Sequence, residues 1–251
     1  MLEEVLLFAA IGFAAQLVDG ALGMAYGLVA TAVLVSAGTP PAVASASVHA
    51  AEVFTTGASA SAHWRLGNVD ARLVRRLAVP GALGGIAGAL VASWLPLHII
   101  RPAVALWLLL MGALILWRAL RPPQPRPPLR HLAPLGAAGG FLDAAGGGGW
   151  GPVVVSTLIG RGNIPRMAIG STNAAEFFVT LAITLTFTAS IGLGMWPVVL
   201  GLVLGGVLAA PFAALVARHV PARPLMLVVG LLLLGLALRG IWQAMARAGL
   251  G

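Results

Sequence analysis

Two short stretches, VDGALGMAYG (residues 18–27) and LDAAGGGGWG (residues 142–151), decide how this chain folds. Each places one aspartate beside a glycine-rich run within an apolar region, and sliding the chain by 124 positions superposes the two. An internal repeat is the first feature to seek in a sequence, because it defines the architecture. The recurrence of the acid in both copies argues against chance.

The composition is typical of a polytopic membrane protein. The 251 residues are 59% hydrophobic and 9% charged, with a mean hydropathy of +0.98, whereas soluble domains carry about 25% charged residues. This length allows about eight to ten membrane segments of about 20 residues each. The chain has no cysteine, which excludes disulfides and thiolate metal sites.

Most of the positively charged residues lie in the loops between apolar stretches. All 15 basic residues are arginines, and twelve of them fall in loops that a single orientation places on one side of the membrane. This bias is the positive-inside rule. We therefore expect a bacterial inner-membrane protein whose linker, residues 120–131, is cytoplasmic, with the lipid bilayer and not nucleic acid as its surroundings.

The repeat covers most of the chain. The same shift also superposes Pro41 on Pro165 and Glu52 on Glu176 without a gap. The joint, RALRPPQPRPPLR (residues 118–130), is too rich in proline to continue as a helix. We predict an all-α polytopic membrane protein of two repeats joined by a linker: 1–119, 120–131 and 132–251.

Each repeat divides into five apolar stretches, so the second should enter the membrane inverted relative to the first. The first two stretches of each half are short, and they are interpreted either as re-entrant hairpins or as broken spans. Inverted repeats with interrupted helices are the architecture of many secondary transporters, which bind substrate near the membrane midplane. The stretches are 4–18, 24–37, 41–63, 73–95 and 98–118, then 132–143, 150–160, 165–188, 195–217 and 222–246.

Four of the seven acidic residues lie inside these apolar stretches as two matched pairs: Asp19 and Glu52, then Asp143 and Glu176. An ionisable group at membrane depth costs a few kcal/mol or more, so it is functional or firmly paired. Each aspartate could cap an opened helix end, and each glutamate could bond a neighbouring helix. A proton relay is the alternative, and the residues alone leave both interpretations open.

A polar stripe follows the first glycine segment and returns in the second half. Its members recur at helical spacing, which places them on one face and predicts that they line a cavity. The stripe contains Ser45, His49, Glu52, Thr56, Ser59 and His63 in the first half, and Asn173, Glu176 and Thr180 in the second.

The run GGGGWGP (residues 146–152) precedes a short helix with Pro152 in its first turn, where proline is favoured. A helix that begins there directs free N–H groups and its positive dipole end towards the midplane, which suits an anion. The candidates are Gly147, Gly148, Gly149 and Trp150. Alternatively, the glycines only permit a sharp turn and close packing.

These residues resemble the sulfite exporter TauE/SafE family. The resemblance rests on GFAAQLVDGALGMAYG with AGGFLDAAGGGGWGP, and on PAVASASVHAAE with PRMAIGSTNAAE, and it covers nearly the whole chain. It implies transport of a small anion, such as sulfite, a sulfonate or sulfoacetate, without ATP. The candidate pore-lining residues that carry over are the glycine segments, Asp19, Asp143, Ser47, His49, Ser171, Thr172 and Asn173.

We therefore expect a secondary transporter of small anions that works by alternating access. Since no arginine falls in the proposed cavity, neutral donors would hold the anion, and His49 beside Glu52 could couple a proton or be a packing residue. A passive channel and a non-transporting partner subunit remain alternatives. The sequence leaves open whether the protein forms a homo-oligomer. The serines lack a G-x-S-x-G setting and no H-E-x-x-H occurs, so neither an enzyme nor a metal or other cofactor is expected.

Overall fold

The computed structural model describes residues 1–121, 131–219 and 221–247, and within them the regular structure is helical. The helices are α1 (Leu2–Leu22), α2 (Tyr26–Ser36), α3 (Pro41–Arg65), α4 (Ala71–Trp94), α5 (Leu97–Leu120), α6 (Ala133–Gly146), a π-helical turn (Gly151–Val155) that continues as α7 (Ser156–Gly160), α8 (Pro165–Ile191), α9 (Trp196–His219) and α10 (Ala222–Arg247).

Five of the described helices are long and apolar enough to cross a membrane: α4, α5, α8, α9 and α10. Two shorter apolar helices, Tyr26–Ser36 and Gly151–Gly160, follow the two glycine segments. The predicted all-α polytopic membrane fold is thus confirmed. The division at the linker and the inverted orientation of the second half stay predictions, and residues 122–130 of the linker lie outside the described residues.

Helix α1 is longer than its predicted stretch, 4–18. It extends over 21 residues to Leu22 and includes Asp19 in its last turn, a length of about 32 Å at 1.5 Å per residue. The acid does not interrupt the helix, because its carboxylate accepts hydrogen bonds from the N–H groups of Ala25 and Tyr26 beyond the helix end.

The helices pack in pairs that join the two halves. Helix α1 packs along α9 and α6 along α4, while α3 packs on α8 and α5 on α10. Glycines allow these close approaches: a Cβ at Gly205 would overlap the carbonyl oxygen of Ala9, and one at Gly84 would overlap that of Ala137. Small residues at such contacts are typical of helix association in membranes.

The two glycine segments form the same local structure. Gly23 ends α1 with a φ of 65° and Gly147 ends α6 with a φ of 71°, the left-handed conformation that favours glycine at a helix end. In each case the backbone N–H donates to the carbonyl oxygen of the aspartate four residues earlier. We name residues 23–25 the first break and residues 147–150 the second break.

Candidate functional site

The two breaks lie against each other at the centre of the protein. A Cβ at Gly148, whose φ is 139°, would lie 2.5 Å from the backbone nitrogen of Leu28 and 2.7 Å from the carbonyl carbon of Gly27. A Cβ at Gly27 would lie 3.2 Å from the Cα of Gly148 and 2.8 Å from the Glu52 Oε1. The glycines therefore permit backbone-to-backbone contact between the second break and the start of α2.

Each aspartate carboxylate binds the N–H groups that begin the next helix. The Asp143 Oδ1 accepts hydrogen bonds from the backbone nitrogens of Gly149 at 2.7 Å and Trp150 at 3.0 Å. In the first half, Asp19 Oδ1 accepts them from Ala25 at 2.7 Å and Tyr26 at 3.2 Å. A helix N-terminus is a ready anion site, and in this conformation an aspartate of the chain occupies that position at each break.

His49 joins the first half of the chain to the aspartate of the second. Its Nδ1 lies 2.8 Å from the carbonyl oxygen of Ser45, and its Nε2 lies 3.2 Å from the Asp143 Oδ2. The same Nε2 lies 3.8 Å from the Glu52 Oε2. All three side chains are buried, so the group forms a compact polar cluster between α3 and α6.

The ligand atoms of these three residues lie within 4.8 Å of one another, which is the spacing that a metal site requires. The His49 Nε2 and the Asp143 Oδ2 are, however, at hydrogen-bond distance. A proton between them accounts for this contact, and we assign no metal ligand to the cluster.

Two small cavities adjoin the breaks, with volumes of about 10 and 20 Å³. A volume of about 10–15 Å³ accepts one water molecule, so the four non-hydrogen atoms of sulfite require the site to open. The walls common to both cavities are Asp19, Tyr26, Glu52 and Glu176. The first cavity adds Gln16, Thr55, Thr56, Ser59 and Asn173, and the second adds residues of both breaks together with Leu28, Asp143, Gly151, Pro152 and Gly27.

Comparison with known proteins identifies the family. The sequence model described as sulfite exporter TauE/SafE matches residues 8–240. The chain belongs to this family. It is also 42% identical over 244 residues to the probable membrane transporter protein YtnM of Bacillus subtilis (strain 168), which covers 93% of this chain and 81% of that protein. No solved structure matches it. This TauE/SafE protein is a multi-pass membrane transporter.

The structure brings some of the predicted site residues of this TauE/SafE protein to the cavity walls. Gly148, Gly149, Asn173 and the two matched pairs of acids lie there. The Asn173 Nδ2 donates to the Ser59 Oγ at 2.7 Å, which joins the polar stripes of α3 and α8.

Other predicted donors are engaged elsewhere. Ser47 donates to the carbonyl oxygen of Val43 in its own helix, and Thr172 donates to that of Ala168. Ser171 accepts a hydrogen bond from the backbone nitrogen of Asp70 at 2.9 Å. Gly147 forms the αL turn, and the indole of Trp150 donates to the carbonyl oxygen of Thr172 at 3.3 Å. A role for these residues in substrate binding stays a prediction.

Three wall residues of the first cavity were not among the predicted site residues: Gln16, Tyr26 and Thr55. Gln16 precedes Asp19 by three residues and Thr55 follows Glu52 by three, so helical spacing alone could have placed them on the acidic faces. The Tyr26 hydroxyl donates to the carbonyl oxygen of Leu202 at 2.8 Å. This bond anchors the start of α2 on α9.

Helix α5 holds the second break in place. The Trp107 indole donates to the carbonyl oxygen of Gly148 at 2.7 Å, and the Arg118 guanidinium donates to that of Pro152 at 2.9 Å. Aligning the RP pair at 101–102 with the RP pair at 223–224 puts Val229 and Gly240 at the corresponding positions of α10. Neither side chain can donate a hydrogen bond, so this attachment is specific to the second break.

Proposed function

We propose that the protein is a secondary transporter of small sulfur oxyanions, such as sulfite or organosulfonates, in the bacterial inner membrane. The observation that carries this proposal is the direct contact of two broken helices around a buried polar cavity. Secondary transporters bind substrate where discontinuous helices meet, and the exposed helix N-termini favour anionic groups. Membership of a family described as sulfite exporters supports the same substrate class.

Neutral donors would hold the anion. The cavity walls contain no arginine among the described residues, whereas they offer the amide of Asn173, the hydroxyl of Ser59 and the backbone of the second break. Hydrogen bonds from neutral donors are weaker than those from a guanidinium. A site of this kind releases its ligand readily, as transport requires.

The acidic walls set a condition on anion binding. Asp19, Glu52, Asp143 and Glu176 face the same pair of cavities, and like charges at short range disfavour each other. An anion can enter only when carboxylates of the site are neutralised. We therefore expect protons to accompany the substrate.

The cavities are too small for an oxyanion in this conformation, which favours a carrier that changes shape over a passive channel. In the proposed cycle the cavity opens to one side of the membrane at a time, with the linker in the cytoplasm. Rocking of one half against the other is the usual form of this motion in inverted repeats.

Flux through purified protein in proteoliposomes tests the proposal. Wild-type protein would be assayed with sulfite, sulfoacetate, taurine, sulfate and chloride, beside Asn173→Leu and the control Phe178→Leu. Phe178 lies on the same helix but is 51% exposed on the outer surface. We expect saturable flux of a sulfur oxyanion that Asn173→Leu loses and Phe178→Leu keeps. Absence of flux for every anion, with folded and inserted protein, would contradict the proposal.

A further inference from the structure

The hydrogen bonds of His49 determine where its proton lies. The carbonyl oxygen of Ser45, 2.8 Å from Nδ1, can only accept, and the Ser45 hydroxyl, 3.2 Å from Nδ1, already donates to the carbonyl oxygen of Ala144. The Nδ1 must therefore carry a hydrogen. A neutral His49 then presents a bare Nε2 to the Asp143 Oδ2 at 3.2 Å. Two acceptors do not form a hydrogen bond, so this contact requires one further proton between Nε2 and Oδ2.

The two oxygens of Asp143 have different partners. Oδ2 faces the shared proton, while Oδ1 accepts the N–H groups of Gly149 and Trp150 at the second break. An ionised carboxylate is a much stronger acceptor than a neutral acid. The proton on the His49–Asp143 pair therefore controls how firmly Asp143 holds these N–H groups.

We propose that His49 and Asp143 form a proton switch that couples one proton to each transported oxyanion. When the proton resides on Oδ2, His49 is neutral and the Asp143 acid donates to Nε2. The Asp143 Oδ1 then belongs to a neutral acid, which is a weaker acceptor, and the substrate can displace it from the N–H groups of Gly149 and Trp150. When the proton leaves, the carboxylate reclaims both groups and expels the anion. This inference rests on the proposed function of anion transport.

The charge balance favours binding one proton together with each anion. Without its proton the pair carries one negative charge, and with the proton and a monovalent oxyanion the site again carries one. The other titratable groups that face it are Glu52 of α3, Asp19 of α1, Tyr26 of α2 and Glu176 of α8. An anion added without a proton would increase the negative charge of this buried site.

A second observation, a buried oxygen without a partner, points to a ligand position beside the pair. The Glu52 Oε2 is buried without a hydrogen-bond partner, and the residue is 4% exposed. It lies 3.8 Å from the His49 Nε2 and lines the cavity that contains Gly148 and Gly149. A buried polar atom without a partner costs free energy, and the space in front of it is where water, a proton or substrate can enter.

Among the described residues, only the aspartate of the second break has a histidine partner of this kind. The 124-residue shift places Asn173 opposite His49, and the Asn173 amide is bonded to the Ser59 Oγ. Asp19 receives its two backbone N–H groups without a histidine at the corresponding position. The prediction is therefore one proton per anion and not two.

The test uses two variants that alter the switch and one matched control. In Asp143→Asn, the amide oxygen can still accept from the second break and the NH₂ can donate to Nε2, which reproduces the protonated acid. His49→Asn installs the residue of the other half. Asp70→Asn makes the same change as Asp143→Asn, but at an exposed aspartate that caps α4 and lines neither cavity. In proteoliposomes, the readout is the accumulation of sulfite or sulfoacetate with a proton gradient relative to that without one.

At one proton per anion, wild-type accumulation rises about tenfold per pH unit of gradient. We expect Asp70→Asn to keep this response and both switch variants to lose it while still catalysing downhill flux. In weakly buffered detergent, above the pH at which the substrate-free pair loses its proton, substrate binding should take up one proton per anion in wild-type protein and none in Asp143→Asn. A wild-type response in both switch variants, or its equal loss in Asp70→Asn, would overturn the switch. Absence of any wild-type flux would instead overturn the proposed function.

Discussion

The contact between the two breaks makes Gly148 the most demanding backbone position in the site. Replacing it with alanine places a Cβ on a backbone whose φ is 139°, and within 2.9 Å of three backbone atoms of Gly27 and Leu28. Backbone atoms cannot rotate away as a side chain can. One of the two broken helices must move.

The expected loss of folding stability in Gly148→Ala has two parts. The left-handed backbone costs about 1–3 kcal/mol for a residue other than glycine, and overpacking costs about 1–3 kcal/mol more. Gly162→Ala separates them, because Gly162 also has a positive φ of 85° but has open space around it. The difference between the two variants is therefore the overpacking term, about 1–3 kcal/mol.

Thermal unfolding of the purified variants in one detergent measures this difference. A change of 1 kcal/mol shifts the Tm of a chain of this size by about 2–4 °C, so Gly148→Ala should unfold roughly 2–12 °C below Gly162→Ala. We also expect Gly148→Ala to lose transport, since the breaks can no longer meet. Equal Tm values for the two variants would refute the close contact between the breaks.

Three further changes test the packing around the site. Trp107→Phe removes the hydrogen bond to the second break and should lower the free energy of unfolding by about 1–3 kcal/mol. Trp94→Phe, at a side chain that is 78% exposed, should leave it almost unchanged. Equal losses in thermal unfolding would contradict the hydrogen bond between Trp107 and Gly148. Gly205→Ala should lower the free energy of unfolding by about 1–3 kcal/mol, because the new Cβ forces α1 away from α9. Gly235→Ala, where nothing lies near the new Cβ, should raise it by up to about 1 kcal/mol. A Gly205→Ala variant as stable as wild type would contradict the packing of α1 on α9. Asp70→Ala removes the N-cap of α4 and should cost about 0.5–2 kcal/mol, which Asp70→Asn should largely avoid in the same assay.

The helices could be predicted from the sequence because apolar runs and prolines mark their bounds. The stretches predicted from 41 and 165 begin at the same residues as α3 and α8, where proline occupies the first helical turn. The end of α1 could not be predicted in this way. It depends on a side-chain contact between Asp19 and the backbone beyond the helix, which hydrophobic periodicity does not report.

The site was partly predictable for a different reason. The repeat singled out the two matched pairs of acids and Asn173, and all five line the cavities. Capping of an opened helix end by each aspartate was one of the interpretations that the sequence left open, and in the structure the Asp143 Oδ1 accepts the N–H groups of Gly149 and Trp150. The sequence could not pair His49 with Asp143, which lies 94 residues away, because that contact depends on the packing of α3 against α6.

Accessibility of the central cavity from both sides of the membrane tests the account most directly. The chain has no cysteine, so Asn173→Cys provides a single thiol in the cavity wall, and Ile183→Cys on the same helix provides a fully buried control. A membrane-impermeant thiol reagent would be applied to either face of oriented vesicles, with and without sulfoacetate. We predict that Cys at position 173 reacts from both faces, that sulfoacetate protects it, and that the control does not react. Reaction from one face only, without protection by substrate, would contradict transport through this cavity.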